Sequence, residues 1–439
     1  MAFYLNGVKL PHRKNTQDKS VKHTVVPEKV IIPMSMHIGK PAIPTVKVGD
    51  LVKVGTLIAN ADSLVSSPIF ASVSGKVVKI QDFLLSNGAT APAVVIESDG
   101  EMTPDENITP PTINSKEDLV DAIKNSGIVG LGGAGFPTHV KFNVEPEKIE
   151  VLVINGAECE PYITSDTVTM IERRDDMAYA LEKLSTYMGI KNVVIGIESN
   201  KKAAIESMKQ LAADVAEFCS LTVKVLPSIY PQGGEKVLVY HTTNKIISTG
   251  KLPIDVGCIV INCTTLATIG NYLKTGMPLT EKCVTVDGGA VAEPANVIAP
   301  IGTSFADVFA ACGGLKADPV KLLYGGPMMG VTAPGVDAPV LKNTNAVLAL
   351  TEKEAKLPKT TPCIRCGSCT NTCPLGLAPA EIAKAYEKRD TEALEALSVN
   401  TCMECGCCSF ICPANRPLVQ TNKLSKALLR QATQKEENK

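Results

Sequence analysis

Cys363-x-x-Cys366-x-x-Cys369-x-x-x-Cys373-Pro374 is followed, 39 residues later, by Cys402-x-x-Cys405-x-x-Cys408-x-x-x-Cys412-Pro413, the same pattern written a second time. Three thiolates at this spacing can wrap three corners of a cubane iron-sulfur cluster from one tight loop. The fourth, held beyond the turn by a proline, reaches the neighbouring cluster. Crossed ligand sets are therefore expected: Cys363, Cys366, Cys369 and Cys412 for one 4Fe-4S cluster, and Cys402, Cys405, Cys408 and Cys373 for the other. Four-cysteine zinc sites also use closely spaced pairs, but they rarely pack four cysteines into eleven residues twice over. Cys407 falls outside the pattern and reads as an inert packed thiol. Cys159, Cys219, Cys258, Cys263, Cys283 and Cys312 show no ligand spacing and read as core residues.

Working outward, Ala378 to Leu397 between the two runs has a helical pattern, so the cysteine-rich region reads as an α-helical domain holding two clusters. The segment from Asn422 to Lys439 places Leu424, Leu428 and Leu429 on one helical face, ends in charged residues, and reads as a solvated or fraying helix. Composition narrows the rest. The chain has 439 residues, which suggests roughly two to four domains. Its 44 Lys plus Arg against 45 Asp plus Glu give no basic field for a polyanion, and with no Trp and 4% aromatics there is no base-stacking surface, so nucleic acid is not an expected partner. No stretch has the length of apolar sequence that a membrane-spanning helix needs. The start, Met1 to Asn6 and on to Lys9, Arg13 and Lys14, lacks a signal-peptide core, so a cytoplasmic location with reduced thiols is expected.

Upstream of the cysteines, residues from Val26 to about Ile96 form short Val/Ile-rich segments punctuated by Gly and Pro, the pattern of a small all-β module. Its two halves resemble the barrel-sandwich hybrid of lipoyl and biotinyl carrier domains. The tip between them, Val65-Ser66-Ser67-Pro68, has no Lys to modify, which favours a structural module. After Thr109-Pro110-Pro111-Thr112 comes a helix over 115–125, then strand 150–154, helix 175–188, strand 192–197, helix 201–218, strand 221–226 and strand 258–262. Such alternation means a mainly parallel α/β sheet with ligands at the carboxyl ends of its strands. From Lys282 to Gly330 the sequence reads as a small α+β module containing a helix over 304–311. The expected divisions are 1–110, 111–275, 276–350, 351–422 and a charged tail, 423–439.

Gly130-Leu131-Gly132-Gly133-Ala134-Gly135 satisfies G-x-G-x-x-G, but a helix and not a strand precedes it, so the usual dinucleotide context fails. Glycines still let a backbone approach a phosphate, and Phe136-Pro137-Thr138 begins a short helix through Lys141. Three further polar loops follow strands: Asn155 to Pro161, Tyr230 to Lys236, and Asn262 to Thr265. They are expected to converge on one crevice.

These motifs together resemble the flavin- and NADH-binding domain shared by the complex I flavoprotein subunit and the RnfC subunit of Rnf-type ferredoxin:NAD oxidoreductases. The N-terminal barrel-sandwich half, a soluble-ligand-binding β-grasp domain (SLBB-like) over Lys282 to Gly330, and the two-cluster ferredoxin-like end extend the resemblance to RnfC along nearly the whole chain. It implies a multidomain α/β protein. It also implies that Gly130, Gly132, Gly133, Gly135, Lys141, Asn155, Glu158, Gly234, Glu235, Asn262 and Thr265 cradle FMN, and that Phe136 and Glu160 border NAD(H). Ala157 stands where the complex I pattern has an acidic residue, Lys236 where it has a second Glu, and Asn6 to His12 depart from the Gly-Gly-x-His-Pro of RnfC. The implied activity is hydride exchange between NAD(H) and FMN with single electrons passing through two 4Fe-4S clusters, no side chain acting as acid or base. The implied partners are the other subunits of a membrane-bound complex, with ferredoxin reached indirectly and the chain peripheral on the cytoplasmic face. Two rival readings are a soluble NADH-dependent reductase paralogue, linked to corrinoid or proline reduction, and a pure iron-sulfur relay without nucleotide binding.

Overall fold

Four near-continuous apolar segments, Val151–Gly156, Asn192–Glu198, Ser220–Leu226 and Cys258–Asn262, form an all-parallel sheet in the order 220–226, 192–198, 151–156, 258–262 in a computed structural model that describes residues 5–86 and 88–437. Of the segments read above, Met1 to Tyr4, Asn87 and the last two residues of the tail lie outside that range. Runs such as Val151-Leu152-Val153-Ile154 are buried on both faces, which a parallel sheet covered by helices requires. The chain steps outward from Val151–Gly156 to Ser220–Leu226, then returns to the opposite side of the first strand with Cys258–Asn262. That reversal is a topological switch point, where crossover connections diverge and leave a crevice beyond the strand ends. Asn155 and Asn262 are register partners at its mouth.

The helices read from periodicity appear at Lys116–Asn125, capped by Ser115, at Arg174–Met188, ended by left-handed Gly189, and at Lys202–Asp214. Three further helices have no such periodicity. Ser165–Glu172, Glu235–Thr243 and Cys263–Thr275 are helical, so the expected polar loop at Asn262–Thr265 is in fact a helix start whose cap is Asn262, accepting from the Thr265 amide at 3.2 Å.

The N-terminal module has a four-stranded and a three-stranded sheet, and the Val65–Pro68 tip lies on the connection between Leu57–Asn60 and Ile69–Phe70, paired strands of the smaller sheet. That tip is a socket. Lys342, completely buried, donates to Ser67 Oγ at 3.1 Å, Pro68 O at 2.6 Å and Gly127 O at 2.7 Å, joining the tip to the α/β domain. Lys342 belongs to the next module, a six-stranded mixed sheet built on Glu281–Asp287, Ala295–Pro300, Lys321–Tyr324 and Ala346–Leu350 with helix Phe305–Ala310; strand Lys22–His23 pairs onto its edge.

In the cysteine-rich region the single helix expected between the runs is two, Pro379–Glu387 and Thr391–Ala396. Left-handed Arg389 breaks the first, and Asp390 caps the second by accepting from the Ala393 amide. The C-terminal helix, Leu418–Glu437, corrects the reading of a solvated tail: it docks on Pro379–Glu387. Its packed stripe is Leu418, Asn422, Ser425 and Leu429, all buried, and Lys426 donates to Cys402 O at 2.9 Å. Two polar members hide the stripe from an apolar periodicity. Among the described residues no helix is long and apolar enough to cross a membrane.

The socket gives a stability prediction. Lys342→Met removes the ammonium donor from the buried Pro68 and Gly127 carbonyls and leaves the single Ser67 hydroxyl to serve both, at about 1–3 kcal/mol. Urea unfolding of the full chain is expected to show a midpoint lowered to match.

Candidate functional site

The carboxyl ends of the strands carry the residues singled out above. Gly130–Phe136 is a tight loop closed by a hydrogen bond from the Gly130 amide to Phe136 O at 2.8 Å and by a bridge between Val129 and Pro137. Leu131 N donates to Thr265 Oγ1 at 3.0 Å, and a β-carbon on Gly132 would collide with the Asn262 side-chain amide. Around Gly133 a β-carbon would meet nothing within 4 Å. Gly132 therefore serves close packing on the helix cap, and Gly133 opens to the crevice.

Asn262 also donates to Asp166 Oδ2 at 2.7 Å. Asp166, missed by sequence reading because its short helix has no clear apolar period, is buried and accepts from Thr264 Oγ1; burial raises its pKa. Lys141 lies half-buried, donating to Val260 O at 2.8 Å and standing 3.3 Å from Glu235. Asn155 donates to Gly233 O at 2.9 Å, tying two of the polar loops together.

The two glutamates of the Asn155–Pro161 loop face different surroundings. Glu158 turns its carboxylate into the core, where it accepts from the Asp166 amide, Thr167 Oγ1 and Lys201 Nζ at 2.7–2.8 Å. Lys14, from the N-terminal segment, donates to the carbonyls of Glu158, Glu160 and Ile163 at 2.6–2.8 Å and so fixes the shape of this loop. Burial, with Lys201 nearby, draws the Lys14 pKa down to about 8. Glu160 accepts from the Met328 and Met329 amides at 3.0 and 2.7 Å; burial pushes its pKa up to about 7 against those two donors. Of the positions where the sequence departs from the complex I pattern, Ala157 is buried with its amide on Asn155 Oδ1, and Lys236 reaches to Ser248 O.

The two cysteine runs share one backbone conformation. Arg365 and Glu404 are left-handed, as are Gly367 and Gly406, and the Arg365 and Glu404 amides donate to Cys363 Sγ and Cys402 Sγ at 3.4 Å. Amide donation to sulfur favours the thiolate form a cluster needs. Cys402, Cys405 and Cys408 line one small apolar cavity together with Cys373 of the other run. Cys369 and Cys412 pack, half-buried, against Ala383, Cys408, Leu418 and Val419, while Cys363 and Cys366 are exposed. Cys407 is buried against Val8, Leu10 and Tyr230. Among the described residues no three His, Cys, Asp or Glu side chains converge as a single-ion site.

The second run is seated on the α/β domain. Met403 packs on Gly234 so closely that a β-carbon there would collide with its methyl group, and Tyr230 Oη donates to Cys405 O at 2.7 Å. Met328, whose amide Glu160 holds, also lies against Gly406.

Comparison with known proteins accounts for each part. Residues 3–101 match the RnfC barrel-sandwich hybrid domain, 123–271 the Nuo51 FMN-binding domain, 283–332 the SLBB domain and 359–427 a 4Fe-4S dicluster domain. The RnfC-type member of the Na+-translocating ferredoxin:NAD+ oxidoreductase complex of Acetobacterium woodii is 41% identical over 96% of both chains. The chain belongs to the RnfC family. The corresponding protein of the proton-translocating ferredoxin:NAD+ oxidoreductase complex of Clostridium ljungdahlii is 40% identical over 86% of this chain and 82% of that protein. That of the ion-translocating oxidoreductase complex of Rhodobacter capsulatus is 39% identical over 95% and 81%. The NAD+-reducing [NiFe]-hydrogenase in its H2-reduced state shares the fold, with a TM-score of 0.50 at 17% identity over 73% of this chain and 64% of that one.

As an RnfC protein the chain is an electron-transfer subunit whose resident cofactors are FMN and two 4Fe-4S clusters. The residues present fit both groups: an open glycine loop beside a lysine at a sheet switch point for a flavin phosphate, and eight thiols in two repeated loops for the cubanes. The crossed ligand sets have a direct test. Cys373→Ser combined with Cys402→Ser strikes one cluster if the sets cross, so anaerobic protein is expected to keep about four iron. Cys363→Ser with Cys373→Ser is expected to lose nearly all of it; the opposite pattern marks uncrossed sets.

Proposed function

We propose that this subunit exchanges hydride between NAD(H) and FMN at the switch-point crevice and trades single electrons with the other subunits of an Rnf-type ferredoxin:NAD oxidoreductase complex. The observation that carries it is the seating of the Cys402–Cys408 loop on the Tyr230–Glu235 loop, through Met403 on Gly234 and Tyr230 on Cys405. When bound, FMN takes an electron pair from a nicotinamide and gives electrons up singly, which suits cubanes that change by one electron each.

The side chains supply placement. Gly132, Gly133 and Gly135 bring backbone amides to the FMN phosphate, Gly130 closes the loop that carries them through its own amide on Phe136 O, and Lys141 adds a positive charge held by Val260 O. Asn155, Glu158, Gly234, Glu235, Asn262 and Thr265 shape the rest of the cradle, with Glu158 contributing through its loop backbone because its carboxylate is committed to Lys201. Phe136 and Glu160 border the nicotinamide nucleotide. No side chain is needed as acid or base, since a hydride carries its own electron pair.

Cys402, Cys405, Cys408 and Cys373 hold the cluster nearer the flavin, and Cys363, Cys366, Cys369 and Cys412 the one nearer solvent, where partner subunits receive or deliver electrons. Ferredoxin exchanges electrons with the complex through those partners, which also carry the ion movement. The protein sits peripherally on the cytoplasmic face of the cell membrane.

Anaerobic titration with NADH tests the reading. Flavin and cluster absorbance are expected to bleach together in cofactor-loaded wild type. A fully loaded chain whose colour NADH leaves unchanged refutes the proposal. In cells, the chain is expected to sediment with membranes and to leave them in high salt.

A further inference from the structure

The glycine loop is gripped from outside its own domain. Asn343, in the module of the six-stranded mixed sheet, donates its side-chain amide to Gly133 O at 2.8 Å, and the Ile38 amide of the barrel-sandwich module donates to Gly135 O at 3.1 Å. A trans peptide is planar, so fixing the Gly133 carbonyl toward Asn343 sends the Ala134 N–H to the opposite side. Among the described residues the amides of Gly132, Gly133 and Ala134 donate to nothing, and Gly133 and Ala134 are exposed. A loop of flexible glycines presents such amides to an anion only if something holds its peptides in one orientation.

Asn343 is itself held. The residue before it is Lys342, locked into the Ser67–Pro68 tip and Gly127 by three hydrogen bonds. The turn that carries it is closed by Leu341 N on Thr344 Oγ1 at 2.9 Å and Thr344 N on Leu341 O at 3.0 Å. The tip where a carrier domain would display a lysine here receives one, and that lysine sets the position of its neighbour over the glycine loop.

We propose that Asn343 is a positioning residue for the flavin phosphate, acting from the mixed-sheet module through the Gly133 carbonyl to aim the loop's amides. This rests on the FMN reading of the glycine loop. Removing the bond leaves the loop able to bind, but makes binding bear the cost of ordering it. The loss falls on the phosphate alone, because among the described residues Asn343 bonds to the cradle only through the Gly133 carbonyl.

The test uses the full chain, purified without oxygen, cluster-loaded and freed of flavin, titrated with FMN and separately with riboflavin while flavin fluorescence is followed. For Asn343→Ala, the Kd for FMN is expected to rise roughly tenfold and that for riboflavin to change less than twofold. For the isosteric Asn343→Asp, the FMN loss is expected to be larger and to shrink at high salt, since a carboxylate now faces both the carbonyl and the phosphate. FMN affinity equal to wild type in both variants overturns the proposal. So does an equal loss for FMN and riboflavin, which would mark general loosening. Wild-type protein that binds the two flavins equally well would remove the phosphate cradle itself, and the proposal with it.

Discussion

The Met403 side chain, one residue past the first thiol of the second cysteine run, packs on Gly234, and Tyr230 reaches across the same junction to the Cys405 carbonyl. A β-carbon at Gly234 would displace the Met403 methyl group from this seat. Electron exchange between a flavin and a cluster needs the two close together, and the proposed path relies on the seating of one cysteine loop directly on the Tyr230–Glu235 loop. The small cavity lined by Cys373, Cys402, Cys405 and Cys408 also includes Met403 and so lies at this junction, whereas Cys363 and Cys366 are exposed. The two sites have the same backbone design but different surroundings, and burial and amide donation to sulfur are the levers by which a protein separates the potentials of like clusters.

The crevice is a composite of the whole chain. The parallel sheet supplies its floor at the switch point. The N-terminal segment fixes the Glu158–Ile163 loop through Lys14, and the SLBB domain holds Glu160 through the Met328 and Met329 amides. Glu158 and Lys201 form a buried pair whose remaining hydrogen-bonding capacity is met by Thr167 and the Asp166 amide, so that neither charge is left uncompensated. A loop tied down at this many points is preordered before any ligand arrives, which spares binding the entropy of arranging it.

Much of this is legible in the sequence. The strands stand out because runs such as Val193-Val194-Ile195 are β-branched and buried on both faces, and the cysteine spacing specifies its chemistry directly. The missed helices have physical reasons. Glu235–Thr243 carries Val237-Leu238-Val239, an unbroken apolar run with two β-branched valines and no 3.6-residue face, and Cys263–Thr275 opens with Thr264 and Thr265, poor helix formers whose helix start is capped by Asn262. The C-terminal helix misleads because Asn422 and Ser425 are buried in its contact stripe. Glycines, acidic residues and asparagines of the crevice can be found from their loops. What no spacing reveals is which distant segment holds each loop: Lys14, Asp166, Lys342 and Met403 act on loops far from them in sequence, and only the folded chain brings them there.

Cofactor analysis of the full chain purified without oxygen tests the central claim most directly. The account predicts brown protein with about eight iron, about eight acid-labile sulfide and one FMN per chain. Colourless protein with all eight ligand cysteines intact and zinc as its only metal would contradict it.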